Sequence, residues 1–368
     1  MKIKSYNLFL ESQDSIESIC KKYDIRNYTI NSDGTVDVDG DVNLYFKGLT
    51  KLPLKFRRVT GDFNCQSNQL TSLEGSPKEV GGDFICYSNQ LTSLEGCPKE
   101  VSSGFYCQGN QLTTLEGSPL SVSGVFDCSM NQLTNLVGGP KEVGGHFNCY
   151  RNQLTSLEGS PKAVGGDFYC YNNQLTNLVG GPKEVGDYFD CSYNQLTNLV
   201  GAPKEVGGDF DCSNNKLISL EGSPLSVDLG FICSYNQLIT LEGSPKSVGR
   251  NFICSLNQLT SLEGSPKSVG GYFACSNNQL TSLIGGPEVV LGKYYLYDNQ
   301  ITSFEGFPDD YEGVVDFSGN PVQKVLNEFP DNLLIKAIHL IIDYDAIWNG
   351  EVIPERLEMV KDKLGLIN

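Results

Sequence analysis

The sequence predicts a repeat solenoid, mainly β, and three observations predict it. Eleven cysteines from Cys65 to Cys275 stand 21 residues apart without exception. Columns of Phe, Asn, Leu, Gly, Pro and Val keep the same period, with no insertion between Leu44 and Asn320. Gly, 40 of 368 residues, and a Pro in every period from Pro77 to Pro308 break up any regular helix inside the repeat. A unit that short cannot bury its own apolar side, so successive units must stack.

Each column has a physical reading. The cysteine slot is filled by Leu44 one period earlier and by Leu296 and Phe317 later, so it is an apolar slot in which free Cys packs as a small hydrophobe. Phe63 heads eleven Phe, each two residues before a Cys; residues i and i+2 of a strand point to one side, here inward. Asn68 heads thirteen Asn placed where the strand ends, and its amide can bond backbone groups of its own and the neighbouring turn. Leu70 and Leu73 head two further core columns. The Gly and Pro columns make the return path extended or turn-like rather than helical.

The unit reads F-x-C-x-x-N-Q-L-T-x-L-x-G-x-P-x-x-V-G-G-D, and Phe63-x-Cys65-x-x-Asn68-x-Leu70 fits the leucine-rich-repeat template. The chain resembles the leucine-rich-repeat superfamily from about Leu44 to Val325. More narrowly, Asn68 to Phe84 looks like repeats encoded by large tailed bacteriophages. Ser318-Gly319-Asn320-Pro321, with the Leu/Ile-rich segment after it, is similar to the same group. The resemblance implies a leucine-rich-repeat horseshoe or arc, with a parallel β-sheet on the concave face and an extended or turn-like convex side. Repeats of secreted bacterial effectors have a shorter link where this unit has Gly-Gly-Asp. The related ubiquitin ligases carry a large helical domain with a catalytic Cys, whereas the C-terminal segment here has no Cys.

Three parts are expected: an N-terminal cap over 1–43, an array of about 13 coils over 44–325, and a helical C-terminal cap over 326–368. Ile16, Ile19, Cys20 and Tyr23 follow helical spacing after Ser12 and Asp14 as caps. Tyr28-Thr29-Ile30 and Thr35 to Val38 flank Asn31-Ser32-Asp33-Gly34, a hairpin signal. The acidic stretch Asp33 to Asp41 lacks the spacing and closing Glu of a calcium loop and reads as outward carboxylates on a strand. Leu333, Leu334, Ile335, Ile338, Ile341 and Ile342 predict one C-terminal helix. Ile353, Leu357, Val360 and Leu364 predict a second, with Pro354 in its first turn. Met1 to Glu11 loosely resembles the capsid-targeting peptides of internal proteins in T-even-like phages; an amphipathic segment of the cap is the plainer reading.

Charge and composition exclude several function classes. A net charge of −17 argues against binding nucleic acid or an anionic membrane surface. No apolar run is long enough for a membrane span, and the basic start is not followed by the apolar stretch of a signal peptide. Cysteines at this spacing, with no C-x-x-C pair, predict reduced structural thiols, no metal site and a reducing compartment. His146 beside Asp167 could support acid–base chemistry, but no nucleophile accompanies it, and the recurring Gly-Gly pairs are turn glycines. We therefore expect no enzyme, no cofactor and a cytoplasmic location, in the host cell if phage-encoded.

The functional expectation rests on the outward strand positions 62, 64 and 66, and on 67 at the rim, each repeated every 21 residues. These columns vary while the core columns do not, and they hold eleven of the eighteen Tyr. Tyr combines large contact area with few rotors, which suits interfaces. The expected contact surface comprises Tyr106, Asp127, His146, Tyr150, Arg151, Asp167, Tyr169, Tyr171, Tyr188, Asp190, Tyr193, Asp209 and Asp211, facing a protein partner of basic or mixed charge. The alternatives are a virion-associated or capsid-internal structural protein and an effector enzyme.

Overall fold

The computed structural model describes residues 15–367; the Met1 to Glu11 resemblance, Ser12 and Asp14 lie outside them. The chain divides into two compact units, Met1–Tyr188 and Phe189–Asn368.

In the first unit, residues 15–22 are helical and bury Cys20. Strands Tyr28–Ile30 and Val36–Val38 form the expected antiparallel hairpin. Its acids serve local structure. Asp33 accepts from the Thr35 amide and hydroxyl, Asp37 pairs with Arg57, and Asp39 accepts from the Thr60 hydroxyl. Two parallel ladders then climb the unit. One holds the Phe column, from Val42–Asn43 through Phe63–Asn64 to Phe168–Tyr169. The other begins on the hairpin strand Val36–Val38 and continues through Phe56–Val59 and Glu79–Val80 to Glu184–Val185.

The second unit repeats the pattern. Its Phe ladder runs from Phe189–Asp190 to Tyr294–Tyr295 and Val315–Asp316. Its Val ladder runs from Glu205–Val206 to Val289–Val290. From Phe63 onward the parallel pairings of both ladders join residues one period apart, such as Phe126 with Phe147 and Val248 with Val269, so equivalent side chains stack.

The return path was expected to be extended, and it contains a second ladder. The Val column is buried at almost every coil, and amides on either side of it bond back one coil, Lys78 to the Arg57 carbonyl and Gly81 to that of Val59. In the Phe ladder the bonds point the other way: Phe63 donates to Asp83 and Cys65 to Ile85. Between the ladders the Gly-Gly-Asp turn brings the coils closest together at the glycines. A Cβ on Gly165 would fall inside van der Waals contact of the Gly144 carbonyl oxygen, which is why this column favours glycine.

The core is a stack of like on like. Phe63 to Phe168 lie ring on ring at 5.2–5.6 Å with interplanar angles of 6–16°, and each ring is fully buried. At about 2–3 kcal/mol per buried Phe, this column supplies much of the apolar stabilisation. Beside it, each Asn fastens two coils. Asn236 Nδ2 lies 3.1 Å from the carbonyl oxygens of Cys212 and Cys233 and 3.2 Å from that of Ser234, while its Oδ1 accepts the Leu217 amide at 3.0 Å.

The second unit ends in Gln323–Leu326, a 3-10 turn Asp331–Leu333, and the two expected helices, Leu334–Asp343 and Pro354–Lys363. Ala337, Ile338 and Ile341 of the first helix and Leu357 and Val360 of the second are buried. The cap is not purely helical. A hairpin, Ile347–Trp348 with Glu351–Val352, joins the helices through Asn349 and Gly350, both at positive φ. Asn-Gly is the signal for such a two-residue turn.

Replacing Asn236 by Ala strands one buried amide and removes the donor from three carbonyls. We expect a loss of about 2–4 kcal/mol of local stability. Hydrogen exchange should show it as faster exchange at Leu217 and neighbouring coils, and unchanged protection there would contradict the role given to the ladder.

Candidate functional site

Three local devices fix what the outward face of the Phe ladder displays. The first is a left-handed residue after each strand. Ser67, Ser88, Gly109, Met130, Arg151 and Asn172 in the first unit, and Tyr193, Asn214, Tyr235 and Leu256 in the second, all have φ between 51° and 63°. This turn points the next residue, the ladder Asn, inward. It suits Gly and Asn and disfavours Tyr, Leu and Met.

The second device acts at position 64. The side chains of Asn64, Asp127, Asp190 and Asp211 turn back and accept the amide two residues on. The third acts at position 62, where a side chain accepts the amide one period later. Asp62 accepts from Asp83, Asp83 from Gly104, Asp167 from Tyr188, Asp209 from Gly230 and Asn251 from Tyr272.

The acids of the expected surface are therefore engaged in the backbone. Asp127, expected to face solvent, is only 7% exposed. Its Oδ1 accepts from the Ser129 amide at 2.9 Å and hydroxyl at 2.6 Å, and its Oδ2 from Asn148 at 3.2 Å. Burial was not foreseeable from alternation alone, because it arises from this backward turn.

What the first unit presents outward is aromatic. Tyr150 and Tyr171 stack at 4.6 Å with planes 4° apart. Tyr169 meets Tyr171 edge-on at 6.3 Å and Tyr188 edge-on at 5.6 Å. The Tyr169 hydroxyl donates to Asp167 Oδ2 at 2.9 Å, while Asp167 Oδ1 accepts the Tyr188 amide at 2.9 Å. Arg151 lies exposed at the left-handed position beside Tyr150. Tyr106, half-buried, spreads its ring over Gly104, where a Cβ would collide with it. No Lys or Arg occupies the three outward columns of this unit, which carry Asp41, Asp62, Asp83, Asp127 and Asp167.

His146 occupies the position-62 ladder. Its Nδ1 is 2.9 Å from the Asp167 amide nitrogen and also 2.9 Å from Asp167 Oδ2. One nitrogen cannot both accept from the amide and donate to the carboxylate. The neutral ring with Nδ1 unprotonated matches the ladder pattern of an acceptor for the next amide.

In the second unit, Tyr193 and Tyr235 stand out at 56% exposure each from left-handed backbone. Asp190 pairs in register with Asp211. Burial pushes the Asp190 carboxyl up to about 6, against the lowering effect of its bonds from Ser192. Tyr272, which the sequence reading left out, packs edge-on against Tyr295 at 5.9 Å; its place in column 62 was the signal for it. All thirteen cysteines are buried, and burial pushes the Cys65 thiol up to about 12. Among the described residues no group of three His, Cys, Asp or Glu is placed to hold a metal ion.

The register, the inward Asn and the stacked Phe column are the frame in which known structures can be compared. The chain is similar to YopM, a leucine-rich effector protein from Yersinia pestis, with a TM-score of 0.51 and 19% identity over 88% of this chain and 95% of that one. The fold is the leucine-rich repeat. Other similar structures are YopM from Yersinia enterocolitica WA-314, with TM-score 0.49 and 24% identity over 76% of this chain and 70% of that one, and the functional domain of InlJ from Listeria monocytogenes, which includes a cysteine ladder, with TM-score 0.44 and 19% identity over 72% and 64%. No protein-family model and no curated protein matches the chain.

The Asp190 carboxyl binds a proton more readily in the folded chain than in the unfolded one. Its contribution to stability is present below about pH 4 and is lost as pH rises towards about 6. Asp190→Asn can still accept the Ser192 amide and should raise stability at neutral pH by about 1–3 kcal/mol, the gain vanishing near pH 4. Denaturant melts at the two pH values check this. Separately, the thiols should resist a thiol reagent in the native protein and all react in denaturant; fast native labelling would contradict their burial.

Proposed function

We propose that the chain is a non-catalytic protein-binding module whose contact surface is the tyrosine-bearing outward face of the Phe ladder, and that its partner presents basic side chains. The observation that carries this reading is the Tyr150–Tyr171 stack with Tyr169 and Tyr188 edge-on beside it, set among carboxylates and with no Lys or Arg in the outward columns of the first unit. Asp127 and Asp167 have both oxygens engaged, so they act through their negative field rather than as open salt-bridge partners. Tyr faces in that field suit guanidinium groups, which stack on rings while keeping hydrogen bonds at their edges. Arg151 and Tyr193 at the rim extend the set within their own units. The resemblance to phage-encoded repeats makes a host or viral protein, met in the host cytoplasm, the setting we propose.

The test is affinity capture from host lysate with wild type and with Tyr150→Ala/Tyr171→Ala, both confirmed folded by circular dichroism. Loss of two stacked aromatic contacts should weaken a captured basic partner by roughly 10- to 100-fold. Equal recovery by the variant would remove this face from consideration.

A further inference from the structure

We infer that His146 is a pH-sensitive link in the position-62 ladder and that its protonation weakens partner binding at the neighbouring tyrosine cluster; the regulatory part rests on the proposed function. Other acceptors in this ladder, Asp62, Asp83, Asp167, Asp209 and Asn251, use a side-chain oxygen for the next coil's amide. Such oxygens keep their lone pairs throughout the neutral range. At His146 the acceptor is Nδ1, 2.9 Å from the Asp167 amide. A histidine changes protonation between about pH 5 and 8, and a protonated Nδ1 has no lone pair to offer.

The alternative partner is already in place. Asp167 Oδ2 lies 2.9 Å from the same Nδ1, so the new proton can go to it with little movement. That exchange has two consequences. The Asp167 amide loses its acceptor and faces an N–H. The Asp167 carboxylate, which holds the Tyr169 hydroxyl on Oδ2 and the Tyr188 amide on Oδ1, is drawn towards the imidazolium. Tyr169 sits edge-on to both Tyr171 and Tyr188, so the perturbation reaches the centre of the aromatic cluster.

The surroundings leave Asp167 as the natural counter-ion. At the outward positions the preceding coil offers Val125 and Asp127, the coil of His146 offers Asn148 and Tyr150 with Arg151 at the rim, and the following coil offers Asp167 and Tyr169. Asp127 is buried and held by Ser129 and Asn148. Below the histidine transition the face also gains a positive charge, which opposes a cationic partner.

The test uses the full chain, 15N-labelled, titrated from about pH 8 to about pH 5 across the histidine range. The Asp167 amide and Tyr169 signals should move with the same midpoint as the His146 ring. His146→Asn supplies the oxygen acceptor that Asn251 uses and should abolish the movement while leaving the fold intact; His339, the other histidine, is unchanged in this variant. An oligo-arginine peptide should bind Asp190→Asn, in which the carboxyl raised to about 6 no longer titrates, roughly three- to tenfold more weakly at the acid end, and bind His146→Asn/Asp190→Asn equally at both ends. An Asp167 amide that ignores the His146 transition overturns the link, and a pH dependence surviving in His146→Asn/Asp190→Asn overturns the regulation. A peptide that binds at no pH overturns the reading of the face and the regulation with it, even where the Asp167 amide follows His146.

Discussion

Everything in the array depends on the inward asparagine. Each coil ends its strand in a left-handed turn that leaves carbonyls pointing into an apolar interior. Unpaired, each would cost about 1–3 kcal/mol, and the penalty would recur at every coil. One amide side chain answers three carbonyls and one N–H, drawn from two successive coils. The same bonds fix the register at one period, because Asn236 reaches the Cys212 carbonyl only if the coils are stacked in phase. Once the register is fixed, Phe must stack on Phe and Cys on Cys, and glycine is favoured where the turns approach most closely.

Register also explains the outward face. Stacking in phase puts amides one period apart within reach of side chains as well as of carbonyls. Asp62, Asp83, Asp167 and Asp209 exploit this, so carboxylates on the exposed side do structural work that a free surface acid does not. Their charge is left without an internal cation at most coils, whereas their hydrogen-bonding capacity is largely used. The surface that results is negative in field and aromatic in contact. This combination is different from a row of open carboxylates.

The fold was legible because the period is unbroken and because Cys, Leu and Phe share one slot, which only a buried position allows. The helices around Ile338 and Leu357 and the first hairpin were legible from spacing and turn residues. The Val ladder was not, since one inward Val per period gives no alternation to read. The Asn349-Gly350 turn carried its own signal, but the strands it joins are two residues each and Glu351 breaks their apolar pattern, so the flanking helical stripes dominate the spacing. At the candidate site, sequence picked out Tyr150, Tyr169 and Tyr171 by their columns. It could not separate a buried Asp127 from a free acid, because that depends on a side chain turning back onto Ser129.

The left-handed row adds an independent argument about which positions answer to something other than folding. Its backbone is the same at every coil, and Gly109, Asn172 and Asn214 show the residues that geometry favours. Met130, Arg151, Tyr193, Tyr235 and Leu256 hold the same conformation with a Cβ that costs about 1–2 kcal/mol each. Tyr193 and Tyr235 are more than half exposed, so packing within the chain does not offset that cost. Core columns in this array are uniform, so the substitution pattern here is not general looseness of the repeat. Stability has been given up at a row of exposed, aromatic or long side chains lying next to the strand face. Strain of this kind persists only where the surrounding structure over-determines the backbone, and here the inward Asn of every coil does so.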